Sequence, residues 1–185
     1  MILTHRRAKL LNAIIYFAQN TNFCGKTKLM KLLFFLDFLH FRETGKPVTG
    51  LDYFAWKKGP VPQALFDEIS NQMQPDMAEA IKVAPIDKFQ KIVAKKRFND
   101  EFFTPRETRI LESVSFIFKD ARAEDMVEIS HLPNAPWEKT LKEKGEWQKI
   151  DYLLALDDTT RSLSIDEAKE IMEEIAETHR IFGAM

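Results

Sequence analysis

Residues 27–42 read TKLMKLLFFLDFLHFR, and no other stretch limits the fold as strongly. At about 100° per residue, Leu29, Met30, Leu32, Leu33, Phe34, Phe35, Leu36, Phe38, Leu39 and Phe41 cover nearly the whole circumference of a helix. A helix that is apolar on all sides belongs inside a core or a membrane. These sixteen residues fall short of the roughly 20 that a span requires, and Lys28, Lys31, Asp37 and His40 interrupt them. The stretch is therefore expected to be the buried central helix of a soluble domain. Thr27 is expected to cap its start, and Gly45 with Pro47 to end it.

The other elements are shorter. A first helix should run from a Thr4 cap to about Gln19, with Leu10, Leu11, Ile14, Ile15 and Ala18 on one stripe. Arg6, Arg7 and Lys9 lie near its N-terminus, where the helix dipole disfavours cations, so a compensating contact is one expectation. Residues 52–58 (DYFAWKK) suit a short strand, broken by Gly59-Pro60-Val61-Pro62. A helix should follow over 63–72, then an irregular stretch to 80. A hairpin is expected over 81–85 and 89–98, turning near Ile86-Asp87-Lys88. Thr104-Pro105-Arg106-Glu107 and Ser164-Ile165-Asp166-Glu167 are capping boxes that open later helices. In the first of these, Ile110, Leu111, Val114, Phe116, Ile117 and Phe118 carry the helix to about Asp120. In the second, Ile165, Ala168, Ile171, Met172 and Ile175 should form the buried stripe. The expected architecture is mainly α (α+β): a single-domain bundle over residues 1–185, with a small antiparallel β element.

A chain of 185 residues buries about 70% of its unfolded surface, so it needs no disulfide or metal staple. Cys24, the only cysteine, excludes an intrachain disulfide and fits a reducing cytosol. No secretory leader is expected, and the chain reads as cytoplasmic. Charge is uneven: residues 1–120 carry 19 Lys/Arg against 13 Asp/Glu, and residues 121–185 carry 8 against 15. Such asymmetry speaks to association rather than to chemistry.

Catalytic signatures are missing. There is no Gly-rich phosphate loop, HExxH, paired Cys/His set or GxSxG, so no cofactor, metal or enzymatic activity is expected. Asp37 and His40, at i and i+3, form either an acid/base pair or a satisfied structural pair. The structural reading ranks higher, because buried polar groups must find partners anyway, and Asp37 is expected to tie the helix to the Tyr53–Trp56 segment or to a nearby base. Cys24 reads as a small residue in a turn rather than a nucleophile, although Lys26 and Lys28 are close. Lys88, Lys91, Lys95, Lys96 and Arg97 form a basic stretch. It suits either a solvated edge strand or a ribbon against phosphates, and the former ranks higher.

Several passages together resemble one family. They are Thr27-Lys28-Leu29, Lys31-Leu32-Leu33-Phe34-Phe35, Asp37, the ETGKPVTG turn, Tyr53, Trp56-Lys57-Lys58-Gly59-Pro60-Val61-Pro62, and Glu128-Ile129-Ser130-His131 followed by Pro136-Trp137. Their order and separation resemble the Panacea domain, also called the SocA-like or phage-associated GepA-like domain, over residues 5–145. The resemblance implies a bacterial or prophage antitoxin that neutralises a cognate protein toxin, encoded by the adjacent gene, by direct binding. Alternatives are a proteolytic adaptor that delivers the toxin to a AAA+ protease and a phage nucleic-acid-binding protein, the last being disfavoured. The family supplies no catalytic residues. Its motif positions Lys28, Asp37, Gly59, Pro60, Pro62, His131 and Trp137 are expected to define the fold. An acidic helical extension is expected over 150–185, and its acidic region over 157–185 and the basic stretch over 82–97 are the candidate contact surfaces.

Overall fold

The computed structural model describes residues 4–86, 89–158 and 162–182. These form eight helices and two separate two-stranded antiparallel sheets, the mainly α architecture expected from the sequence. Helix α1 is His5–Asn20, and the Thr4 side chain accepts from the Arg7 backbone N–H at its start. The cations in its first turns are compensated. The Arg7 guanidinium forks onto Glu68 and Asp76 at 2.5–2.9 Å, and Lys9 reaches Glu107 at 2.5 Å. Such charge-assisted, bidentate bonds are among the stronger polar contacts, and Arg7 holds the Asp76 carboxyl below its ordinary range.

Helix α2, Lys26–Thr44, is the expected central helix, but it begins earlier than a Thr27 cap predicts. The cap position is Gly25, held extended by a bridge to Lys91, so the helix starts directly after it and Thr27 is exposed. A Cβ on Gly25 would come within 3.1 Å of the Gln90 carbonyl oxygen. At the other end Gly45 adopts φ +68°, and its N–H closes onto Phe41 O at 2.7 Å.

Around α2 stand α3 (Gln63–Ser70), α4 (Pro75–Ala80), α5 (Pro105–Ile117), α6 (Ala123–Ser130), α7 (Pro136–Lys144) and α8 (Ile165–Phe182). Strands β1 (Phe54–Trp56) and β2 (Gly59–Val61) pair with Trp56 opposite Gly59. Strands β3 (Ile81–Ile86) and β4 (Phe89–Ala94) pair from Ile81↔Ala94 to Ile86↔Phe89. Asp87 and Lys88 of the expected turn lie outside the described residues. Helix α2 contributes to two apolar clusters. Leu29, Leu32, Leu33 and Leu36 pack with residues of α1, α5 and β4. Phe34 and Phe38 pack with Tyr53, Ala55, Trp137 and Ile150. Burying each such side chain stabilises the fold by about 1.5–3 kcal/mol, and serving two clusters is why the helix is apolar on nearly every side.

Four further expectations change. Residues 71–80 are not irregular throughout, because Pro75 opens α4 at its first turn, a position proline favours. Strand β4 stops at Ala94 rather than Phe98. Helix α5 has the full Thr104/Glu107 capping box but ends at Ile117, leaving Phe116 82% and Ile117 65% exposed. Phe118 instead turns inward and stacks on Phe35. Helix α8 docks through Ala168 and half-buried Ile171 and Ile175, while Ile165 and Met172 are exposed. At 100° per residue those two lie to one side of the narrow stripe that touches the bundle.

Candidate functional site

Four polar side chains of α2, Lys28, Lys31, Asp37 and His40, are buried, and each has its own anchoring task. Lys28 Nζ donates to the carbonyls of Asn22 (2.7 Å), Lys119 (3.1 Å) and Ala121 (2.6 Å). An ammonium has three N–H donors, so all are used, and the loop before α2 is tied to the loop after α5. Burial lowers the Lys28 pKa, opposed by the Asp120 and Asp125 charges.

Asp37 is fully buried and surrounded by donors. It accepts from the Thr49 backbone N–H at 2.7 Å, from the Thr49 hydroxyl and from Tyr53 OH at 2.9 Å. The Tyr152 OH lies 2.7 Å from Leu51 O and 3.3 Å from Asp37 Oδ2. Burial raises the carboxyl pKa and these hydrogen bonds oppose the rise. His40 is not its hydrogen-bond partner. His40 Nδ1 sits 2.6 Å from Lys46 O. A carbonyl only accepts, so Nδ1 carries the proton and the ring fastens the turn after α2. Asp37 and His40 therefore serve separate anchors.

The Gly59-Pro60-Val61-Pro62 corner closes against the same helix. Lys31 Nζ donates to Pro60 O at 2.8 Å, its only hydrogen bond among the described residues. Lys31 is 0% exposed, and burial pushes its pKa down to about 7. Gly59 adopts φ +98°, and a Cβ there would sit 2.6 Å from Ser130 Oγ and 2.7 Å from Lys31 Nζ. Only glycine meets both demands. Pro62 occupies the cap position of α3 and its carbonyl accepts from Phe66 N–H.

His131 and Trp137 complete this side. Their rings stack at 3.7 Å between centroids with 8° between planes. Trp137 Nε1 donates to Trp56 O at 2.9 Å. Burial, with the nearby Lys31 charge, lowers the His131 pKa, and its Nε2 has no hydrogen-bond partner among the described residues. The structure thus gathers Gly59, Pro60, His131 and Trp137 around Lys31, while Lys28 and Asp37 occupy other points of α2. Elsewhere, Cys24 is 0% exposed and burial pushes its thiol up to about 11. Such a thiol is inert rather than nucleophilic.

Comparison with known proteins adds one result. Residues 29–138 match the family described as antitoxin SocA-like, Panacea domain. The chain belongs to this family. No curated protein and no solved structure matches it.

The Panacea match spans α2 through the start of α7, so it includes every motif residue above except Lys28, one position upstream. It stops before residues 147–152, which supply part of the site. Trp147 N–H donates to Ala55 O at 2.8 Å, Ala55 N–H to Gln148 O at 2.9 Å and Ile150 N–H to Tyr53 O at 2.8 Å. This segment lies along β1, joined to it by these bonds and by an isolated bridge of Lys149 to Phe54, and leads into Tyr152. Sequence reasoning missed Lys31 as a site residue, along with Thr49, Trp147 and Tyr152. A second lysine three positions after Lys28 on an apolar helix was the available signal for Lys31. Nothing local marks the other three, whose partners lie between 12 and 115 residues away.

Proposed function

We propose that this chain is an antitoxin that neutralises a cognate protein toxin, encoded by a neighbouring gene, through direct protein contact and without catalysis. The Panacea match over residues 29–138 carries this reading. The motif side chains support it. Lys28, Asp37 and Trp137 are spent on internal hydrogen bonds, which leaves recognition to other residues of a fixed scaffold. Of the two charged surfaces, the acidic one suits a basic partner better. Glu170, Glu173, Glu174 and Glu177 on α8 are exposed. In the basic stretch, Lys95 bonds Ala78 O and Lys96 pairs with Glu79. Those ties also weigh against nucleic-acid binding, which draws on several cations facing phosphates.

The test is co-expression with the neighbouring gene product. Growth arrest by that product alone, rescue by this chain and a co-purifying complex are the expected results. A harmless neighbour with no complex overturns the reading. Toxin half-life separates the routes: an unchanged half-life during rescue means sequestration, and a shortened one means delivery to a AAA+ protease.

A further inference from the structure

Beside the corner lies a cavity of about 250 Å³, walled by Met30, Lys31, Trp56, Val61, Phe66 and Trp147. Three aromatic rings frame it. Trp56 meets Phe66 edge-on at 5.1 Å and Trp147 at 4.9 Å. The other lining residues are Thr27, Lys57 and Lys58, so the pocket has three lysines and no carboxylate. Two polar groups on its walls are undersupplied. Lys31 uses one of its three N–H donors, and the buried Trp56 Nε1–H has no acceptor among the described residues. A buried charge with so little pairing is costly, and a ligand that completes the pairing recovers that cost.

Trp147 is the exposed wall. Its side chain is 57% exposed and its backbone sits at φ +66°. A bulky residue in that region is strained, and such strain persists where the surroundings enforce it, often at ligand sites. Here the hydrogen bonds of residues 147–150 to β1 enforce it. Lys31 is closed off from solvent, so a ligand reaches it only when a lining side chain moves, and Trp147 is the most exposed ring of the lining.

We infer that this pocket captures the C-terminal residue of a protein chain, its free carboxylate on Lys31 and Trp56 Nε1 and its apolar side chain between Trp56, Phe66 and Trp147. The volume is below the roughly 300 Å³ at which drug-sized ligand sites begin, so it holds one residue rather than a cofactor. An acidic side chain supplies a carboxylate but leaves the aromatic walls unfilled. A terminal leucine or phenylalanine supplies both from one Cα, and capture of chain termini is an established mode of peptide recognition. The inference holds whether or not the chain is an antitoxin.

The probes are acetyl-Ala-Ala-Leu with a free carboxylate, the same peptide as its C-terminal amide, and an amidated acetyl-Ala-Glu-Ala. Each is titrated into isotope-labelled protein while the Trp indole N–H signals are followed by NMR. The free acid is expected to shift the Trp56 signal and to bind at least tenfold more tightly than its amide. Lys31→Met should bring the acid down to the amide's affinity, and Trp147→Ala, which removes an exposed side chain, should weaken the acid. In the unaltered protein, the acid but not the amide should raise the pH at which Lys31 Nζ titrates. Equal binding of acid and amide overturns the inference, as does no shift of Trp56 by the acid at about 5 mM, beyond the weak-affinity range. Tighter binding of the glutamate peptide overturns the assignment to a chain terminus.

Discussion

Replacing Lys31 by Met tests whether the corner encloses a cation held against its preference. In the folded chain burial brings the Lys31 pKa from 10.5 down to about 7. Between those values the unfolded chain holds a proton that the folded chain has released. Stability from this group therefore rises with pH, the opposite of a lysine that gains a carboxylate partner. Each pH unit inside the window is worth about 1.4 kcal/mol. Because Lys31 is half-titrated near pH 7, the parent should gain about 2 kcal/mol over Lys31→Met between pH 7 and pH 9. In a domain of this size that is a differential rise of about 4–8 °C in melting temperature. The assay is urea or thermal unfolding of both proteins at pH 7, 8 and 9, read as the difference between them, so that other titrating groups cancel. Parallel curves would refute the argument, since they would mean that Lys31 keeps its proton in the folded chain.

Asp37→Ala leaves the Thr49 N–H, the Thr49 hydroxyl and the Tyr53 OH buried without their acceptor. Urea unfolding should show a loss of about 3–5 kcal/mol. Toxin neutralisation should fall only in step with the folded fraction; a stable variant that no longer binds would make Asp37 a contact residue. Gly59→Ala should cost about 2–4 kcal/mol from backbone strain and crowding. Adding Ser130→Ala should recover part of that loss, because Ser130 Oγ is the nearest atom a Cβ would meet. Cys24 should resist a thiol reagent at pH 8 in the native protein and react fully in denaturant; fast native labelling would mean that its burial is not maintained.

Features written in local chemistry were legible before the fold was known. Helix α2 announces itself by length and apolarity, Gly45 by its need for positive φ, and α5 by the Thr104/Glu107 box. Pro75 was an equally local signal for α4, obscured by the polar residues around it. The functions of Lys28 and Lys31 were harder to read, because their acceptors are backbone carbonyls, which every residue type provides. Asp37 was expected to reach the Tyr53–Trp56 segment, and Tyr53 does meet it through the chain reversal after Gly45, but Thr49, which supplies two further hydrogen bonds, was not foreseen. The exposure of Phe116 and Ile117 was hidden for another reason. Periodicity could not indicate that the chain turns away at Phe118, where Asn22 N–H and Lys28 take the Lys119 carbonyl.

The strand-like run over residues 147–150 and the Tyr152 hydroxyl have a practical consequence for anyone dividing this protein into pieces. The family match closes at residue 138. A chain cut there would lose Ile150, which is 1% exposed, and would strip the outer edge of β1 of its hydrogen bonds. It would also remove the ring that stacks on Phe38. A fragment ending at 138 should misfold or aggregate, whereas one ending after Leu156 keeps these contacts. The stretch matched to the family is thus shorter than the stretch these contacts tie together.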